Sequence, residues 1–533
     1  MKTKVLAVLI ILLFIGTCIT PAIAQNTKIT QPTSRGNTLY VGGSGPGNYS
    51  KIQDAIDNAS DGDTVFVYEG VYYEWVNIEK PLTLQGQDKE TTHIDATYNY
   101  DRLIEISTSF VTIDGFTLEN CYNPSSPGFS QAIWIKERTP YSENIRISNC
   151  IITHDDKGIF FENAANLSIL NCTLEYNPAQ GFWGNHGINI LIENCSFNTN
   201  GHTMGGNWFV PGGITLEDCN QIDIQDCQFA LNKGWGIAIF NGTRITIKNN
   251  SIRSSSWYGI DMNAINDLEI TQNMISSNTY MGIIINPDAE GNITIHNNNI
   301  SSNGHGQTDF TSGGMYLSSN TTNVSISNNT FYKNNIVGII VQSPYSQITN
   351  NTFIRNKKGV QVDTGGAHSV IRDNWFLDNS QIGIQINAEY GRGTHNTIYG
   401  SQTGVYLSGF GALVSHNLIS NVKWGILTTS SWHNISSNTI VNVSGRCVSV
   451  NGSGNMVIRS NNFLNYSQDP YLYRYYEPWN HWNGNYWGKP RLLPKVIFGK
   501  QRLWLTDKIK PTVPAIEIDW HPAKEPYNIS WMR

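Results

Sequence analysis

The 533 residues include 48 Gly, only 14% charged side chains and a formal net charge of −6. That balance excludes the Lys/Glu/Ala-rich make-up of a helical protein and supplies no basic field, so nucleic acid and anionic membranes are not expected partners. The length would ordinarily mean several domains, but a chain built of repeats grows by adding units to one core.

Residues 1–24 read as a signal peptide. Lys2 and Lys4 precede an apolar run from Val5 to Ile15, and Ala22 and Ala24 place small residues two apart before Gln25. The run is shorter than the roughly 20 residues a spanning helix needs, so cleavage is expected rather than anchoring, and no transmembrane segment in the mature chain. Ile15-Gly16-Thr17-Cys18 is a poor match to a lipid-anchoring site. The mature chain is then secreted or held at the cell surface, with residues 25–37 a flexible lead-in.

Next, Ser50-Lys51-Ile52-Gln53 has the form of a capping box, and Ile52, Ala55, Ile56 and Ala59 share one helical face. A short amphipathic helix is predicted there, covering the first coil. Alternating strands follow at Thr64–Val67, Gly70–Glu74 and Leu82–Gly86.

A repeat then dominates. One phrase recurs and ends at Cys150, Cys172, Cys195, Cys227, Asn250, Asn273, Asn298, Asn329, Asn351, Asn374, Asn396, Asn417, Asn438 and Asn461. Eleven of the thirteen intervals are 21 to 25 residues and two are near 31. Gly followed by an alternating strand punctuates the units, as in Gly158-Ile159-Phe160-Phe161 and Gly236-Ile237-Ala238-Ile239. A unit of this length with three period-2 strands cannot bury its apolar side alone, whereas a stack of them makes a continuous core. The predicted fold class is therefore all-β, a right-handed parallel β-helix over residues 38–466. Leucine-rich repeats would need a Leu framework and a helical half, and a propeller a period near 40.

Stacking gives the Cys/Asn column a meaning. An inward Asn amide can donate to its counterpart in one neighbouring coil and accept from the other, satisfying buried polar groups along the stack. The four Cys read as small buried residues of the same column, and free thiols are favoured over disulfides because side chains in a ladder point alongside one another. No His joins the column, so no metal is expected in it.

In the Gly-led strands the alternate residues face out. Successive coils display Trp134/Lys136, Phe160/Glu162, Trp183/Asn185, Thr215/Glu217, Ala238/Phe240 and Asp261/Asn263. Two long insertions, 202–211 with Trp208 and Phe209, and 304–312, leave the solenoid where they could wall a cleft. Rings for sugar faces beside carboxylates and amides for hydroxyls make a glycan groove of Trp134, Phe160, Trp183, Asn185, Trp208 and Phe240. The carboxylates Glu162, Glu217 and Asp261 are the candidate catalytic groups. Glu162 and Glu217 are expected two coils apart, roughly 9 to 10 Å by strand spacing, near the 6.5 to 9.5 Å of inverting glycosidases.

From Asp469 the repeat gives way to a segment rich in Trp, Tyr and Pro. Residues 467–533 are read as a cap for the last open coil, with a stacking platform for a sugar or a protein as the sharper alternative. Asn-x-Ser/Thr sites at Asn48, Asn241, Asn292, Asn320, Asn434 and Asn442 fit a glycoprotein.

The block Ile52–Ile56, Asp61–Asp63, Gly70–Glu74 and Leu82–Gly86, followed by PbH1-type repeats, resembles the NosD-like β-helix proteins of the pectin-lyase-like superfamily. Asn485-Tyr486-Trp487 resembles the closing segment of surface proteins of that kind. The resemblance implies a fold and leaves the reaction open, because the superfamily spans lyases, hydrolases, esterases, epimerases and tailspikes. The signatures of pectin methylesterases and pectate lyases are not found. The Asp155-Asp156 and Gly304-His305-Gly306 pieces of a polygalacturonase pattern fall about six coils apart, some 29 Å, so each reads as turn chemistry. The sequence reading is an exported, monomeric β-helix acting in surface recognition or scaffolding, with an extracellular glycan as partner and no cofactor. A polysaccharide hydrolase or lyase on the early-coil face is the alternative, and a NosD-like metal-delivery accessory a further one.

Overall fold

The computed structural model describes residues 36–97, 101–122, 128–136, 141–201, 212–305, 312–452, 454–475, 479–502 and 511–528. The expected signal peptide, Trp208, Phe209 and most of the second insertion lie outside the described residues.

The chain winds into a right-handed parallel β-solenoid of about 19 turns, with about 23 residues per turn. Each full turn gives one strand to each of three sheets. Ser142–Ser148 joins the first sheet, Ile151–Thr153 the second and Lys157–Glu162 the third. The next turn lays Ala164–Leu170, Thr173–Glu175 and Gln180–Asn185 over them in parallel register.

Corners are made locally. The residue just before each ladder position, such as Asn149, Asn171, Asn194, Asp226 or Asn249, has φ between 52° and 58°, a left-handed conformation that Asn and Asp tolerate better than most side chains. The first residue of each Asn-Cys or Asn-Asn pair thus turns the chain, and the second faces inward. Inside, Ile147, Ile169, Ile192, Ile224, Ile247 and Ile270 form one fully buried line. Phe331, Phe353 and Phe376 stack face to face at 4.9 and 4.8 Å on the second sheet. Like residue lies on like residue because parallel strands place equivalent positions a fixed 4.8 Å apart.

The polar column has a direction. Asn273 donates its backbone N–H and its Nδ2 to Asn298 Oδ1, at 2.9 and 3.0 Å, and its Nδ2 also reaches the carbonyl of Ile247. The pattern repeats from Asn250 through Asn461 to Asn485. Upstream, the backbone N–H of Cys172 and Cys195 meets the Sγ of the next Cys, and that of Cys227 meets Asn250 Oδ1. None of the seven described cysteines forms a disulfide, and all are buried.

A second ladder runs five residues after the first. Asn177, Asn200, Asn232, Asn278, Asn303, Asn334, Asn356 and Asn379 are buried, and successive members are linked in the same sense, Ser255 standing where Asn would fall. Its first member is Asp155, so this aspartate is core rather than turn.

Both ends are closed. Helix Ile52–Asn58 buries Ile52, Ala55 and Ile56. The capping box expected from Ser50 and Gln53 does not form: Lys51 is the N-cap and gives no side-chain bond. The Glu74 carboxylate of the next turn accepts the N–H groups of Ile52 and Gln53 instead, at 2.9 and 3.2 Å, a stronger acceptor than a hydroxyl. At the other end parallel pairing continues beyond residue 466, through Tyr471–Tyr475, His481–Asn483 and Lys495–Arg502. The antiparallel strand Thr512–Asp519 then closes the third sheet.

Candidate functional site

The third sheet turns two columns of side chains outward on its early strands. Trp134, Phe160, Trp183, Thr215, Ala238 and Asp261 occupy successive rungs of one column. Glu162, Asn185, Glu217, Phe240 and Asn263 occupy the other. The intervening Ile159, Phe161, Phe182, Leu216 and Ile239 point inward by alternation and are fully buried, and in the first outward column Thr215, Ala238 and Asp261 are themselves covered by neighbouring side chains.

Three cations sit among the rings, of which the sequence reading names Lys136 beside Trp134 but not Arg102 or Lys157. The Arg102 guanidinium lies 3.8 Å from the centre of the Trp134 ring and pairs with Glu105 at 3.1 Å. Lys136 Nζ reaches the other oxygen of Glu105 at 3.1 Å. Lys157 Nζ lies 4.9 Å from Phe160 and 4.4 Å from Trp183, and burial pulls its amine down to about 8. The signal was available: Arg102 and Lys157 open their strands, each three residues before an outward Glu105 or Phe160. Trp134 and Trp183 therefore each carry a cation of their own on the ring.

The carboxylates are spread along the stack. Glu162 and Glu217 lie two rungs apart with Asn185 between them, about 10 Å by strand spacing. Glu217 and Asp261 are likewise two rungs apart, in neighbouring columns. Glu162 and Asp261 are four rungs apart, roughly 19 Å, so the three do not converge. Glu217 is raised by burial and by the charge of Asp218. Asp261 is buried and accepts a 2.6 Å hydrogen bond from Asn286 Nδ2; burial pushes its carboxyl up to about 7.

Rings the sequence reading passed over gather beside these two acids. Trp235, Trp257, Tyr258 and Tyr280 meet edge-on or tilted at 5.8 to 6.2 Å, and Phe240 lies 5.9 Å from Trp235. Trp235 Nε1 donates to Thr215 Oγ1, which also accepts from Gln180 Nε2. Beyond Asp261 the same face becomes apolar, with Met281, Ile284, Val337 and Ile340 packed under Tyr258 and Tyr316. Among the described residues no three of His, Cys, Asp and Glu come together as a metal site.

A parallel β-solenoid carrying an outward strip of rings, cations and acids is the class of protein these features define. The model for the right-handed β-helix region matches residues 102–261 and 258–422, more than half of the chain, and the chain belongs to that family. No curated protein matches it in sequence. Among solved structures, the N-terminal fragment of bacteriophage Phi29 gene product 12 shares 13% identity at a TM-score of 0.52, covering 78% of this chain and 88% of that one. The Dettilon tailspike protein gives 15% identity and a TM-score of 0.42, over 63% of this chain and 66% of that one, just under two thirds of its length. PfbA, a surface adhesin of Streptococcus pneumoniae, gives 15% identity and a TM-score of 0.31, over 75% and 89%. These likenesses are likenesses of fold. No helix among the described residues is long and apolar enough to cross a membrane.

Proposed function

We propose that this protein acts outside the cell or on its surface as a carbohydrate-recognition scaffold, using the early strands of the third sheet. Its opening block from Ile52 to Gly86 supports a NosD-like placement within the family. The observation that carries the reading is the pairing of two outward columns rung by rung: Phe160, Trp183 and Phe240 offer ring surface beside Glu162, Asn185 and Glu217, which offer hydroxyl partners. Aromatic faces bind the C–H side of a sugar while amides and carboxylates fix its hydroxyls, the usual division of labour in a specific site. Lys157, with its amine between Phe160 and Trp183, adds a donor at the same place.

A second reading rests on Asp261. A carboxyl held near 7 is protonated often enough at neutral pH to act as a general acid, with Glu217 as the carboxylate two rungs away. One experiment addresses both. The chain freed of residues 1–24 is screened on a glycan array, and the hits are titrated against Trp183→Ala and Glu217→Gln, then incubated and assayed for new reducing ends or unsaturated products. Recognition predicts at least a tenfold loss of affinity in each variant; no hit, or variants that bind like the parent, refutes it. Chemistry predicts products that vanish in Asp261→Asn.

A further inference from the structure

We propose that the C-terminal cap carries a second saccharide site, for a sugar unit bearing a carboxylate, in the cleft between Trp479 and Trp520. It lies at the opposite end of the solenoid from the early-coil face and does not depend on that reading. Val457–Arg459 and His481–Asn483 are the last two strands of the first sheet, and they pair so that Arg459 stands beside Asn483 and Val457 beside His481. Ile458 and Trp482, between them, are buried, which leaves those four side chains outward. The end of strand Thr512–Asp519, followed by Trp520 and His521, forms the facing wall. Between the walls is a cleft of about 770 Å³, within the roughly 300 to 1,000 Å³ of small-molecule sites.

Its chemistry is specific. Trp479 and Trp520 are 58% and 63% exposed, two large ring surfaces on the rim of a concave site. Arg459 is exposed, always charged, and has no hydrogen-bond or ion-pair partner for its guanidinium among the described residues. The imidazoles of His481 and His521 also line the cleft. The one acid in the lining, Glu517, is buried in the floor, where its oxygens accept from Asn480 N–H at 3.0 Å, Asn480 Nδ2 at 3.1 Å and Trp482 Nε1 at 2.7 Å. What the cleft presents to a guest is thus ring surface, imidazole and amide groups, and on its rim a guanidinium with no ion-pair partner among the described residues, while the floor carboxylate is taken up by the N–H groups of Asn480 and Trp482. A pyranose with a carboxylate satisfies all of these, stacking on an indole while its acid takes the two parallel N–H groups of a guanidinium. A neutral sugar leaves the charge unanswered, and a cationic one opposes it.

The test is calorimetric titration of the chain with a glucuronate-containing tetrasaccharide and with the same tetrasaccharide after reduction of its carboxylates to alcohols. The acidic form is expected to bind at least tenfold tighter. Trp520→Ala should weaken both sugars at least tenfold, and Arg459→Gln should remove the preference while leaving the reduced sugar bound as before. Both side chains are exposed, so each variant should keep the parent's melting temperature. Trp183→Ala on the early-coil face should change nothing. No binding by the parent chain, or Trp520→Ala and Arg459→Gln that bind like it, overturns the proposal. Loss in Trp183→Ala alone overturns it too, while leaving the early-coil reading in place.

Discussion

Asp155 shows how one atom changes the worth of a ladder position. Its backbone N–H donates to Asn177 Oδ1 and its own Oδ1 accepts from the N–H of Cys121, as an Asn would do. Its Oδ2, however, is buried with no partner among the described residues, and burial holds the carboxyl well above its ordinary range. In the neighbouring turns the equivalent Nδ2 atoms of Asn177 and Asn200 donate to the carbonyls of Ile152 and Leu174. Asp155→Asn should therefore stabilise the protein by about 1 to 3 kcal/mol at pH 7, because an orphan acceptor becomes a bonded donor. A carboxyl with a raised folded pKa is at its best below about pH 4 and loses stability as pH rises, so the gain should shrink on acidification. Melting curves of the two proteins at pH 7 and pH 4 check both points; a variant less stable at pH 7 would contradict them.

At the scale of the element, a directional ladder needs an ending. Each Asn Oδ1 accepts from the turn before it, so the last turn must find an acceptor with nothing left to donate. Asp519 supplies it. Its oxygens accept the N–H groups of Gly484 and Asn485, the Nδ2 of Asn485 and the Nε1 of Trp487. Asp519→Ala would leave these donors unpaired in a buried site, a cost of at least about 3 kcal/mol. The loss should stay local, because each turn of a solenoid contacts only its neighbours. Hydrogen exchange should accelerate in residues 479–502 while the turns before Asn417 keep their protection; uniform loss, or none, would show that the strand from Thr512 to Asp519 is not the seal. The same directionality explains what could be read beforehand. The period, the three short strands and the outward columns follow from alternation and spacing, and the second ladder was equally readable as Asn five residues after Asn. The partners of the two caps were not, because Glu74 and Asp519 reach their targets across 21 or 22 and 32 to 35 residues with no repeat to announce them. Arg102 and Lys157 were missed for a related reason: they meet Trp134 and Trp183 across a turn of the solenoid rather than along their own strands.

Across the whole molecule the titrating groups are divided by position. In the early turns Asp155, Asp156, Glu217 and Asp261 are all raised, burial being the first cause in each case. In the late turns His395 and His433 are lowered, again by burial first, His433 to about 4. His433 must stay neutral, because its Nδ1 accepts the N–H of Ala412 at 3.1 Å. The signs are opposite. Carboxyls raised in the fold contribute stability below about pH 4 that is lost as pH climbs through their folded values, about 7 for Asp261. Imidazoles lowered in the fold contribute stability above about pH 6.5 that is lost as pH falls, down to about 4 for His433. The displacements of Asp261, up to about 7, and His433, down to about 4, are each worth on the order of 3 to 4 kcal/mol. Acidification from pH 7 to pH 4 should then strengthen the early turns and weaken the late ones, tilting a stability gradient along an axis that lets neighbouring turns open semi-independently. Exchange protection, normalised to intrinsic rates, should fall between residues 395 and 456 and hold or rise between 150 and 285. In His433→Asn, whose side-chain oxygen can accept the Ala412 N–H without titrating, the late-turn loss should be largely abolished; if the late turns soften in acid as much as in the parent, charge on that buried ring is not what loosens them.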